Sequence, residues 1–119
     1  MSASDLGRTI EVLRAARGLI STREGWCQNT NARDDAGGAV KWESPSATSF
    51  CINGAILRAA SLGVGTDWVG ARAVDALAAV QVEINDPVVS FNDNASHAEV
   101  LALIDHTIER LFVEALGKV

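Results

Sequence analysis

Cysteine is scarce in this sequence: Cys27 and Cys51 are the only two among 119 residues. Two thiols are too few for the disulfide framework of a small secreted scaffold. Counting alone allows one bridge, and two free thiols in a cytosolic protein are the expectation. A basic stripe is also missing. The ten Lys and Arg are scattered, five of them (Arg8, Arg14, Arg17, Arg23, Arg33) in the first third, against fifteen Asp and Glu. The net charge of −5 and the pI near 4.8 argue against nucleic acid as a partner, because its binders present clustered cations. No apolar run approaches the roughly 18 residues that span a bilayer, so no membrane partner is expected. The start, Met1-Ser2-Ala3-Ser4-Asp5, has no basic stretch leading into an apolar core, so no signal peptide is expected and the cytoplasm is the expected compartment. No internal repeat is visible. Gly37-Gly38 and Gly63-Val64-Gly65 lack the Lys-Ser/Thr tail of a phosphate loop and follow no clear strand. No cofactor and no metal are implied.

The bulk composition is that of an ordinary globule, with 48% hydrophobic and 21% charged residues. A chain of this size removes roughly two-thirds of its unfolded surface on folding, enough for one core. A single helical domain over residues 1–119 is therefore expected. Leu6, Ile10, Leu13 and Ile20 recur at helical spacing behind Ser4, which reads as an N-cap with Asp5 in the first turn. Residues 22–45 read as a long loop rich in Asn, Asp, Gly and Thr. Trp26, Cys27 and Trp42 are its apolar anchors, so it is expected to be ordered. A short hairpin through Ala39-Val40-Lys41-Trp42 is a minor option. Pro45-Ser46 is expected to start a second helix with Cys51 about one turn in. Gly54 within that helix points to close approach of another helix. Gly63-Val64-Gly65 ends it, and Thr66-Asp67 caps a third helix that fades near Glu83. Asn85-Asp86-Pro87 reads as a turn and Val88-Val89-Ser90-Phe91 as a short extended stretch. Ser96-His97-Ala98-Glu99 is a capping box ahead of Val100, Leu103, Ile104, Ile108 and Leu111, and Gly117 suits the C-cap. The fold class is then all-α: four helices, one long ordered loop over about 22–45, and few or no strands.

Three short stretches carry a resemblance: Gly25-Trp26, then Phe50-Cys51-Ile52-Asn53-Gly54-Ala55, then Phe91-Asn92-Asp93. In this order the chain resembles a family of small bacterial and phage proteins of unknown function, with Gly-Trp, Trp-Cys-x-x-Gly-Ala and Trp-Asn-Asp motifs. Phe replaces Trp in the last two motifs here, which keeps an aromatic ring but removes an indole N–H donor at each place. The resemblance implies a fold and brings no activity with it.

Two readings of the polar residues follow. In one, Cys51 near a helix N-terminus is a nucleophile. His97 or His106 would be its base, and Asp93 or Asp105 would orient the imidazole. His97 and His106 lie about half a turn apart around one helix, so they cannot share a metal. In the other reading Cys51 is a packed, inert thiol, and Asp93 accepts backbone N–H bonds that hold the long loop against Trp26 and the second helix. Trp26, Trp42, Asn92 and Asp93 are the candidate binding residues. Asn92-Asp93-Asn94 and Arg33-Asp34-Asp35-Ala36-Gly37-Gly38 lack the spacing of a calcium loop. The leading functional expectation is a small soluble interaction or accessory protein, of phage or mobile-element origin, that binds a protein partner. The alternative is a small enzyme or ligand-binding protein with a Cys/His/Asp site between the long loop and the starts of the second and last helices. A homo-oligomer through Ile108, Leu111 and Phe112 is left open.

Overall fold

The first and last helices follow from their capping boxes. A computed structural model describes residues 1–62 and 69–118. Helix α1 spans Ala3–Leu19, with Ser2 rather than Ser4 as its N-cap. The reason lies three residues on. Ser2 Oγ accepts from Asp5 N at 3.1 Å, and Asp5 Oδ2 accepts from Ser2 N at 3.4 Å. Ser4 would face Gly7, which has no side chain to return the bond. Leu6, Ile10, Leu13 and Ala16 form the buried face. The longest helix, which we label after those preceding it, runs over His97–Leu116 with Ser96 and Glu99 as its capping box. Gly117 is its C-cap, in right-handed helical conformation.

Between them lie three two-residue strands and three further helices. The strands are β1 (Ala32–Arg33), β2 (Ala39–Val40) and β3 (Ser49–Phe50). They form one antiparallel sheet in the order β2-β1-β3. Ala32 faces both Val40 and Phe50, while Arg33 faces Ala39 and Ser49. The turn from β1 to β2 is built by Asp34, whose Oδ1 accepts from Ala36 N at 3.0 Å and Gly38 N at 2.8 Å. Gly37 has φ +85° there, a conformation that glycine adopts without steric cost. The helices are α2 (Ile52–Ser61), α3 (Val69–Gln81), α4 (Val88–Asn94) and α5, the His97–Leu116 helix.

The fold is thus mostly helical, with five helices and a small sheet among the described residues, where the sequence suggested four helices and few or no strands. Two misreadings account for the difference. Pro45-Ser46 does not open a helix: the chain turns with Ala47 N bonding Ser44 O at 3.1 Å and then enters β3. Cys51 is the N-cap of α2 itself. Val88-Val89-Ser90-Phe91 is helical, not extended, with Phe91 N bonding Pro87 O at 2.9 Å. A helical turn puts Val88 and Asn92 on one buried side, and that packing overrides the strand preference of two valines. Of the hairpin suggested through Ala39–Trp42, Ala39 and Val40 form a strand paired with Ala32 and Arg33, whereas Lys41 and Trp42 lie outside it. The expected end of the second helix at Gly63-Val64-Gly65 and the Thr66-Asp67 cap lie outside the described residues.

One core joins these elements. Helix α1 packs on α5, α2 and α3, and α2 also packs on α3 and α4. Leu6, Leu13, Ile20, Ile52, Ile56, Ile104 and Leu111 are its largest fully buried apolar side chains. Ala55, Ala59, Ala60, Ala73, Ala76 and Ala79 are buried too, so α2 and α3 meet through small side chains. No described helix is long and apolar enough to cross a membrane.

Candidate functional site

A buried side-chain amide is the hub that joins the long loop to two helices. Asn92 lies on the inner side of α4 and is 0% exposed. Its Oδ1 accepts from the Trp26 indole Nε1 at 2.9 Å and from Ile52 N at 3.0 Å. Its Nδ2 donates to Cys27 O at 3.1 Å and to Asp93 Oδ1 at 3.2 Å. A side-chain amide has two donors and one oxygen with two lone pairs, so every capacity is filled. The loop, the first residue of α2 and α4 meet at this one group. Ile52 N–H belongs to the first turn of a helix and has no intrahelical partner, which is why a side chain from elsewhere is needed.

Asp93 extends the clasp. Its Oδ1 accepts from Asn29 N at 2.8 Å, and Asn29 is the one described non-glycine residue with positive φ, at 68°. Asn tolerates that conformation better than most residues. Gln28 Nε2 donates to Asn92 O at 3.1 Å and Ala95 O at 3.2 Å, so it satisfies carbonyls at the end of α4. Arg33 then ties the loop to itself through Gln28 O at 3.0 Å and Gly37 O at 2.9 Å.

Trp26 and His97 form the second layer. Their rings stack with centroids 5.3 Å apart and planes inclined by 27°. His97 Nε2 lies 2.6 Å from Ile20 O. A carbonyl can only accept, so that nitrogen carries the proton in this contact. His97 therefore connects the start of α5 to the end of α1.

Cys51 caps α2. Its Sγ accepts from Gly54 N at 3.3 Å and donates to Asn31 Oδ1 at 3.5 Å. Asn31 Oδ1 also accepts from Asn53 Nδ2 at 3.0 Å, and Asn31 O accepts from Cys51 N at 3.2 Å. Asn31 O also explains Gly54: a Cβ at that position would lie 2.0 Å from it. The element that approaches Gly54 closely is thus loop backbone, not another helix. Both cysteines are free and buried, and burial pushes each thiol above its ordinary pKa. For Cys51, desolvation outweighs the backbone N–H bonds of Gly54 and Asn53 that favour the thiolate.

Of the sequence-predicted residues, Trp26, Asn92, Asp93 and His97 converge at the base of the loop, and Cys51 sits one residue from Ile52 beside them. Among the described residues no hydrogen bond joins Cys51 to His97 or Asp93. His106 and Asp105 lie elsewhere: His106 Nε2 is 3.4 Å from Glu83 Oε2 on the surface, and Asp105 pairs with Arg17. Trp42 lines a separate open groove of about 730 Å³ with Thr30, Asn31, Ala39, Val40, Lys41, Glu43 and Ser44. Arg58 supports it from α2, donating to Trp42 O at 3.0 Å and Ser44 O at 3.1 Å, with its guanidinium carbon 5.8 Å from the Phe50 ring centroid. Gln28, Asn31, Arg33 and Arg58 were not singled out from sequence. The signal that marks one of them, Asn31, is the polar run Asn29-Thr30-Asn31. Among the described residues no group of three or more His, Cys, Asp or Glu is placed to hold a metal ion.

A family model, DUF6197, described as a family of unknown function, matches residues 6–110. No curated protein and no solved structure matches the chain. The chain belongs to the DUF6197 family.

Proposed function

From that membership, which assigns no activity, we propose a small interaction protein that acts by binding a protein partner in the groove along β2. The observation that carries this reading is how the side chains are used. Trp26, Cys51, Asn92, Asp93 and His97 are each occupied in joining elements. Trp42, half-buried with one side against the core, also lines an open groove. The outer edge of β2 borders the same groove. Asp34 N bonds Gly38 O at 2.9 Å, and the register pairs Arg33 with Ala39. Bonding alternates along an antiparallel pair, so the N–H and C=O of Ala39 point away from β1. A free edge beside a tryptophan is the setting in which an extended segment of another chain docks. We assign the cytoplasm as compartment, in keeping with two unbridged cysteines. An accessory role for a phage or mobile element is the setting suggested by the sequence resemblance.

Capture of partners from cell lysate on immobilised wild-type chain and on Trp42→Ala tests this. The variant is expected to melt within a few degrees of wild type and to retain the partner at least about tenfold more weakly, as for a central aromatic anchor. Equal retention by both overturns the proposal. The competing reading, a small enzyme or ligand-binding protein with a Cys51/His97/Asp93 site, makes a different demand. It requires a thiol that iodoacetamide alkylates faster than free cysteine near neutral pH. Burial of Cys51 predicts slower alkylation in the folded chain.

A further inference from the structure

The two cysteines sit at the neck of the loop. Residues 28–50 leave and return between them, and they contain all three strands. The neck is closed by a parallel bridge between Trp26 and Phe50. Cys27 N donates to Phe50 O at 3.0 Å and Phe50 N to Gly25 O at 2.9 Å. The next residues in that parallel register are Cys27 and Cys51. The pairing ends there, because Asn92 stands between Cys27 O and Ile52 N, but the two cysteines directly follow residues held at the paired-strand spacing of about 4.8 Å, and a disulfide spans about 4.4–6.8 Å between Cα atoms. Both side chains also aim at the same turn: Cys27 Sγ is 3.7 Å from Thr30 O, and Cys51 Sγ is 3.5 Å from Asn31 Oδ1. Each is buried, at 7% and 1% exposed respectively, and Cys27 lies close enough to Cys51 for its charge to raise the Cys51 pKa.

We infer that Cys27 and Cys51 are a dithiol that closes reversibly into a disulfide across the neck of the loop. The oxidant class is a low-molecular-weight disulfide such as glutathione disulfide. The Cys27 thiolate, the more accessible of the two, attacks one sulfur of that disulfide. The S–S bond breaks and one glutathione thiolate leaves. The Cys51 thiolate then attacks the Cys27 sulfur of the mixed disulfide, and the second glutathione thiolate leaves. The chain gives up two electrons, and the two cysteine protons end on two glutathione thiols. Burial keeps both thiols largely protonated, so closure proceeds through opening of the loop and is slow. Its equilibrium is the informative quantity. The closed form ties the sheet and the Trp42 groove into a covalent ring, so oxidation fastens that surface.

The test equilibrates the full chain in glutathione buffers of graded ratio, once native and once in concentrated guanidinium, followed by acid quench and intact mass. The expected product is monomeric and two hydrogens lighter, and digestion yields the peptide of Cys27 joined to that of Cys51. Native geometry should move the half-oxidation ratio at least about tenfold toward more reducing buffers than for the unfolded chain. The oxidised chain should melt several degrees above the reduced one. Glutathione adducts without the bridge, a bridge between two chains, or equal half-oxidation ratios in both solvents would overturn the inference. A lower melting temperature on oxidation would do so as well.

Discussion

Two regions of the molecule are held by different chemistry. Helices α1 and α5 meet across an apolar seam whose edge carries an exposed ion pair. Arg17 of α1 grips Asp105 of α5 in two bonds, of 2.9 and 3.2 Å, while Arg110 of α5 makes a half-buried contact with Glu83 and Ala79 O at the end of α3. The loop and α4 meet instead at Asn92, a neutral amide with no access to water. The difference lies in what remains when the bond is lost. The ends of a broken surface pair return to solvent at little cost. The partners of a missing Asn92 stay buried without partners, and each such group costs about 1–3 kcal/mol. A neutral side chain at the neck therefore outweighs the charged pair on the surface.

Substitutions can break that comparison. Asn92→Leu keeps the branched heavy-atom skeleton and orphans the Trp26 indole, Ile52 N and Cys27 O, so chemical denaturation should show a loss of about 3–5 kcal/mol. Gly54→Ala drives a Cβ into Asn31 O and should cost about 2–3 kcal/mol by forcing the loop off α2. Asp93→Ala removes the acceptor of Asn29 N and should cost about 1–2 kcal/mol, several degrees in melting temperature. The double replacement Arg17→Ala with Asp105→Ala should cost below about 1 kcal/mol. If it costs more than Asn92→Leu, the ranking of the two regions is wrong.

A pH titration sharpens the other side of the comparison. Hydrogen bonds from Ser2 and Arg8 hold the Asp5 carboxyl below its ordinary pKa, and bonds from Ser96 do the same for Glu99. Both groups are depressed in the folded state, so their contribution is full above the unfolded carboxylate pKa. It is lost as pH falls through the folded values. Melting temperature should drop on acidification through the carboxylate range, and less steeply in Asp5→Asn with Glu99→Gln. An unchanged slope in the double variant would show that the caps do not couple to folding.

Much of the fold was legible because it rests on local pattern. The α5 capping box, the α1 stripe and the anchored loop follow from spacing, side-chain bonding and the placement of tryptophan. The neck was legible only in part. Trp26, Asn92 and Asp93 were marked, but the clamp was assigned to Asp93, whereas Asn92 is the buried hub and Asp93 its outer support. An amide looks the same in sequence whether it is buried or solvated, and burial here depends on α4 being helical. Two valines before Phe91 suggested a strand, and tertiary packing decided otherwise. Cys51 was placed inside a helix that begins one residue after it, because the pairing of Ser49-Phe50 with Ala32-Arg33 is nonlocal. Phe50 and Phe91 leave Trp26 as the indole donor at the neck, and that donor's partner could be found only in three dimensions.

Hydrogen exchange at the Ile52 amide tests the central claim most directly. As the first residue of α2, Ile52 has no helical acceptor for its N–H, and Asn92 Oδ1 is its partner at 3.0 Å. If Asn92 clamps the loop, α2 and α4 together, this amide exchanges as slowly as the interior amides of α2, such as those of Ala59 and Ala60. Exchange at the rate of an unprotected first-turn amide would contradict the account.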